Sequence, residues 1–256
     1  MRNKVKLLLL LISLIITSCN SQEKKMVDLA EISNDFDVST FYKNKVKKTN
    51  EIIVTEPKSV SKEKALELLD NPFFVKDTLA YFKTDGRFPT DLYLESASDW
   101  MVKNKKPTEI FGYSYNTVAY NAEKDTIAIL NTVPFPKMDM VEDKKGNLMY
   151  LTVGKTSKNA ADFNKIKEYI SKNSKKITVD MDDPNVSYWE GKLFYYFLSK
   201  RENKEEEVSY DSQGNRKAKS IDVIEIKLSM FEKSYVKKME NLQIYSAGNK
   251  FWKKPL

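Results

Sequence analysis

From Ile221 to Met230 the chain alternates with a period of two. Ile224, Ile226, Leu228 and Met230 share one side of an extended segment, while charges and Ser229 take the other. That pattern marks a half-buried antiparallel strand. Glu205 to Tyr210 and the turn Ser212-Gln213-Gly214-Asn215 precede it, so the region reads as a long hairpin. A second hairpin runs from Met138 to Val141, turns through Asp143-Lys144-Lys145-Gly146-Asn147, and returns from Leu148 to Val153. Leu193 to Leu198 is apolar on both faces, which suits a central strand.

Other stretches carry the same extended signal. Glu51 to Thr55 reads as a strand closed by Glu56-Pro57, and Phe73 to Phe82 as an aromatic extended run. Glu109 to Tyr113, Thr117 to Tyr120 and Thr126 to Leu130 read as antiparallel strands, with a turn at Asn121 to Asp125. Ile177 to Met181 and Leu242 to Tyr245 complete the set.

Helical spacing appears in three places. Ser61 caps a segment with Ala65, Leu66, Leu68 and Leu69 on one side, stopped by Asn71-Pro72. Asp91 caps a second, with Tyr93, Ala97, Trp100, Met101 and Asn104 in register and Pro107 at its end. Ser157 caps a third, whose stripe is Ala160, Phe163, Ile166 and Ile170. Val27 to Asn50 mixes apolar and charged residues without choosing helix or strand. The predicted class is α+β, mainly antiparallel sheets with about three helices. Pro134 and Pro136 offer a boundary between halves 27–135 and 136–256, with one continuous domain as the alternative.

The N-terminus follows a different logic. Arg2, Lys4 and Lys6 precede an apolar run from Leu7 to Ile16, broken only by Ser13. A basic head, a short apolar core and small residues before a cut site make a secretory signal peptide, residues 1–18. The run is about half the ~20 residues that span a bilayer. Ile16-Thr17-Ser18-Cys19 resembles the lipobox of bacterial lipoproteins, with Ile16 in place of the commoner leucine. The resemblance covers these nineteen residues. It implies cleavage before Cys19, a diacylglycerol on its sulfur and an acylated amino group. Cys19 is also the one cysteine of the chain, and acylation accounts for an odd cysteine in an exported protein. A single acyl chain binds marginally, whereas two or three anchor a protein stably. Residues 19–26 then form a polar tether, and Asn20 stands where an aspartate favours inner-membrane retention in such lipoproteins, so the resemblance leans toward the outer membrane.

Composition bounds the chemistry. The formal charge of +7 loses three units with the signal, and acidic residues are interspersed among the basic ones. No concentrated basic face for nucleic acid emerges. The runs Lys43 to Lys48 and Lys172 to Lys176 read as solvated surface. With one cysteine, no intrachain disulfide forms, so stability rests on burial by 13 Phe, 14 Tyr and 3 Trp. The chain contains no histidine, which removes the commonest general base and transition-metal ligand. No cofactor or metal is expected.

Three partial motifs fail on their context. Ser59-Val60-Ser61-Lys62 fits S-x-x-K without the partner motifs of penicillin-binding enzymes. Gly154-Lys155-Thr156 resembles a P-loop tail, but Met149 stands where the first glycine belongs. Asp180, Asp182 and Asp183 lack calcium-loop spacing and sit before Pro184, as a turn does. Aromatic clusters remain as candidate partner-binding residues. Phe111, Tyr113 and Tyr115 alternate and so share a sheet face, and Tyr188 and Trp189 adjoin the run Phe194 to Phe197. The bland reading places all of them in the core.

The expected function is a non-enzymatic envelope lipoprotein, attached through acylated Cys19, that binds a protein or glycan component. A toxin-immunity lipoprotein is the first alternative. A carboxylate-dependent hydrolase of cell-wall glycans is the second, and it needs two acids about 5–10 Å apart in a cleft.

Overall fold

A computed structural model describes residues 26–54, 71–83, 86, 91–178, 185–210, 213–242 and 245–246. Cys19, the tether through residue 25, the segment Ser59 to Leu69 and the acids Asp180, Asp182 and Asp183 lie outside them. The architecture is α+β, with three helices among the described residues and mostly antiparallel sheet.

The chain opens with β1 (Val27–Asp28) and α1 (Val38–Val54). Then come β2 (Phe73–Lys83), β3 (Leu92–Ser96), β4 (Glu109–Ala119), β5 (Ala128–Leu130) and β6 (Val133–Phe135). β7 (Lys137–Asp143) and β8 (Leu148–Ser157) lead to α2 (Ala161–Asn173). The remainder is β9 (Lys175–Ile177), β10 (Val186–Glu190), β11 (Phe194–Tyr210), β12 (Arg216–Glu232), α3 (Lys233–Leu242) and β13 (Tyr245–Ser246).

Ten strands form one sheet in the order β13-β3-β2-β4-β7-β8-β12-β11-β10-β9. All its pairs are antiparallel except β13 with β3. β4 pairs with β7 across the proline-marked point, so residues on both sides of it share this sheet. A small sheet, β1-β5-β6, packs beside it. Exposed Pro134 sits on that sheet's edge strand β6, where a missing N–H costs no ladder bond. Edge strand β9 is short and opens with two lysines, which discourages edge-to-edge association.

Both faces of the large sheet are covered. The first carries Phe74, Tyr115, Met138, Met140, Leu151, Val153, Leu198, Ile226, Leu228 and Met230, packed under α1, α2 and the small sheet. The second carries Tyr81, Phe111, Val141 and Met149, covered by Tyr235, Val236 and Met239 of α3. Strand β12 serves both, because Leu228 and Met230 enter the first core while Phe231 meets Tyr150 and Tyr235 on the other side.

Several local expectations change. Residues 51–54 continue α1 rather than starting a strand: Val38, Phe41, Tyr42 and Thr49 recur at helical spacing and are buried. Asp37 supplies the cap, its Oδ1 accepting from Thr40 N at 2.8 Å. The helix expected after Asp91 is instead β3 followed by turns through residue 104. Asp91 has a positive φ of 51° and accepts from Gly86 N at 2.6 Å, so it closes a turn. Leu94 then pairs with Tyr81 and is buried in the second core. Residues 109–119 form one strand where two were expected, and 194–210 likewise. Ser157 ends β8 rather than capping α2. Asn159 Oδ1 accepts from Ala161 N at 2.8 Å, and Ala160 is exposed while Ile166 and Ile170 carry the buried stripe. Gly154-Lys155-Thr156 lies within β8, with Lys155 paired to Asp162 at 2.7 Å.

Candidate functional site

The five aromatic candidates do not make a surface. Between β2 and β4 the register passes from Leu79↔Gly112 to Ala80↔Ile110, which leaves Phe111 as the extra residue of a bulge. A bulge breaks the alternation of faces. Phe111 therefore enters the second core, 5.8 Å from Tyr81 and 6.0 Å from Tyr235 between ring centroids. Tyr115 stacks on Tyr42 at 5.0 Å in the first core, and Tyr113 is half-buried against that same core. Tyr188 meets Phe197 at 4.9 Å on the second face, while neighbouring Trp189 is 1% exposed on the first. Core packing accounts for all five.

Beneath Tyr115 lies a polar knot. Glu142 is 2% exposed, and its Oε1 accepts from Ser39 Oγ at 2.6 Å and Tyr115 OH at 2.9 Å. Oε2 has no hydrogen-bond partner among the described residues. The Ser39 and Tyr115 oxygens are 3.0 Å apart, and Lys76 Nζ lies 4.0 Å over the Tyr113 ring. Burial pushes the Tyr115 phenol up, against hydrogen bonds from Lys76 and Ser39 that pull it down. The carboxylate thus ties the first turn of α1 to β4 and β7. Two hydroxyl donors on one buried carboxylate make a strong structural clasp.

A cavity of about 640 Å³ opens between the start of α2 and the β11–β12 hairpin. Lys158, Lys204, Glu202 and Asp222 contribute charges of both signs, beside Asn203, Val223 and Ile224. Lys158 is already paired with Glu207 at 2.9 Å, which holds its ammonium above the usual lysine range. The mixed lining selects no ligand of one charge.

The hairpin itself reaches beyond the sheet. β8 pairs with β12 only from Ile224 to Phe231, and β10 pairs with β11 only from Tyr195 to Ser199. From Arg201 to Tyr210 and from Arg216 to Val223 the two strands pair with each other, with no further strand on either edge among the described residues. At ~3.4 Å per residue this arm is about 30 Å long. Its first strand is acidic at Glu205, Glu206 and Glu207, and its second basic at Arg216, Lys217 and Lys219. Arg216 and Glu206 pair across it at 2.5 Å.

Trp100 stands outside both cores. Trp100 is 81% exposed and Met101 beside it 43%. Their loop, residues 97–108, is pinned to β2 at both ends, by Ala97 N to Thr78 O and Thr108 N to Tyr81 O, each 2.8 Å. Val102 plugs into Ala80 and Phe82 between those ends. Met101 N donates to Asp99 Oδ1 at 2.8 Å, which turns the chain so that Trp100 projects. Lys103, Lys105 and Lys106 follow, all exposed. Helical spacing places Trp100 in register with Tyr93, Ala97, Met101 and Asn104. The contrary signal was present in the turn residues Ser96 to Asp99 and the lysine-rich flank before Pro107.

Comparison of the chain with family models, curated proteins and solved structures returns no match. Among the described residues no cluster of three or more acids or cysteines is placed to hold a metal ion, and no helix is long and apolar enough to cross a membrane.

Proposed function

We propose that the protein is a lipid-anchored envelope lipoprotein of the outer membrane that binds a protein or glycan partner without catalysing a reaction. The observation that carries this reading is Ile16-Thr17-Ser18-Cys19 directly after a signal-type apolar run, with Cys19 the chain's single thiol. The polar residues after Cys19 supply a tether between lipid and body. The protruding β11–β12 arm supports a binding role: its two edges offer backbone N–H and C=O groups, and its strands carry opposite charge.

The test is metabolic labelling with a fatty acid. Wild-type protein takes up label and migrates as the cleaved form, whereas Cys19→Ala takes up none and keeps its signal. Equal labelling of the two would refute the lipid site.

A further inference from the structure

Trp100 presents a large apolar side chain to water from a loop that is not loose. Backbone bonds to β2 at both ends, the Val102 plug and the Asp99 turn fix its direction. Ordinary packing would have buried such a ring, as it buries Trp189. The same loop carries Lys103, Lys105 and Lys106 against the single acid Asp99, whose carboxylate is already engaged by Met101 N. Lys105 Nζ lies 5.5 Å over the Tyr93 ring, and so is held close to the loop's base.

An aromatic tip beside a thioether and flanked by ammonium groups matches the interface of an anionic bilayer. Tryptophan favours the headgroup level, where its ring is apolar and its N–H still finds an acceptor. Each lysine near an anionic surface strengthens association about fivefold. We propose that loop 97–108 is a second membrane contact, with Trp100 and Met101 entering the interface and Lys103, Lys105 and Lys106 meeting lipid phosphates. The proposal rests on the lipid anchor at Cys19. From Cys19 to Val27, the first residue of β1, the chain spans at most about 28 Å. The anchor therefore keeps the body, and this loop with it, at high local concentration beside the headgroups. Together the two contacts fix how the body is oriented on the membrane, which a lone flexible tether does not.

The experiment uses the full mature lipidated chain in vesicles of phosphatidylethanolamine and phosphatidylglycerol, with spin-labelled lipids quenching tryptophan emission. Trp100→Phe isolates the Trp100 share from that of Trp189 and Trp252. The expected result is strong quenching of the Trp100 share by labels near the headgroup, at least threefold greater than in all-phosphatidylcholine vesicles. A Lys103→Glu, Lys105→Glu, Lys106→Glu variant, altered only at exposed positions, should lose that difference. Mass spectrometry of Cys19 in the same sample reports the anchor separately. If Cys19 carries lipid but Trp100 stays unquenched, the loop proposal is overturned and the anchor stands. If Cys19 carries none, the anchor reading fails. Trp100-dependent sedimentation of the unlipidated chain with anionic vesicles would then uphold the loop, and its absence would overturn it. A co-purified protein that shields Trp100 from iodide in lipid-free detergent would assign the loop to a protein and also overturn the proposal.

Discussion

Gly112 is the residue on which the β4 bulge turns. A Cβ built there would lie 1.9 Å from the Glu142 carbonyl oxygen, which is backbone and has nowhere to go. The close approach lets β4 and β7 pair across Gly112↔Asp143 while Phe111 swings to the second face. It also sets Glu142, one residue along β7, under Ser39 and Tyr115. Gly112→Ala should therefore cost about 3 kcal/mol or more by overpacking against backbone. Urea denaturation would measure the loss. Near-ultraviolet signals of Tyr42, Tyr115 and Trp189 in the first core and of Tyr81 and Tyr235 in the second should report the same transition. A loss under 1 kcal/mol would mean that the strands separate freely here and that the bulge does not depend on glycine.

Elements differ in how far their own residues announce them. The β7–β8 hairpin is legible because Asp143 Oδ1 accepts from Lys145 N and Asn147 N, and Gly146 takes a positive φ of 83°. Local chemistry alone makes that turn. Strand β12 is legible from alternation, although its last residues are covered on both faces, Leu228 and Met230 by the first core and Phe231 by Tyr235 of α3, which alternation does not reveal. The α1 terminus and β3 depart from their local patterns for a common reason. Ile52, Ile53 and Val54 favour strands by their branching, and Tyr93 to Asn104 fits helical spacing, yet each is decided by a distant partner. The partners are the first-face core for α1 and Tyr81 for β3. For the candidate site, Cys19 is written in a linear motif, whereas Trp100 depends on turns that fix its direction. Alternation predicts one shared face for Phe111, Tyr113 and Tyr115, and the bulge that moves Phe111 to the other face leaves no mark on the pattern of residues. The β5–β6 turn is built against its residues. Asn131 and Thr132 join Leu130 to Val133 with φ values of 46° and 68°, and Thr132 is β-branched. Two-residue hairpin turns of this type favour glycine there. Thr132 is exposed, so no packing is lost on its removal. Thr132→Gly should raise stability by about 1 kcal/mol, and Thr132→Ala, which keeps a Cβ, should gain less. Equal gains from both in thermal unfolding would place the cost in the threonine hydroxyl and not in φ.

The whole molecule stores its pH sensitivity in phenols. With no histidine, it lacks the side chain that ordinarily titrates between about pH 5 and 8. Its carboxylates pull in opposing directions. Burial raises Asp139, while at Asp143 and Asp162 hydrogen bonds and nearby lysines outweigh burial and hold the carboxyls low. The tyrosines do not oppose one another. Burial raises Tyr42 and Tyr235 well above 10 and Tyr81 to about 12, with smaller contributions from Asp139, from Tyr150 and Tyr81, and from Glu109 respectively. Folded phenols therefore keep protons that the unfolded chain releases near pH 10. Their contribution to stability is complete below that pH and falls as pH rises toward the folded values. Each such phenol removes about 1.4 kcal/mol per pH unit in that window, so three acting together unfold the chain over a narrow range. Tyrosinate absorbance and loss of sheet signal should rise together in an alkaline titration. Tyr42→Phe loses the bond from Tyr42 OH to Met138 O, 2.9 Å long, and so starts less stable. Its stability should nonetheless fall less steeply above pH 10, by the share of one proton. If the slopes were equal, or if tyrosinate formed while the sheet persisted, the buried phenols would not be what limits the fold in base.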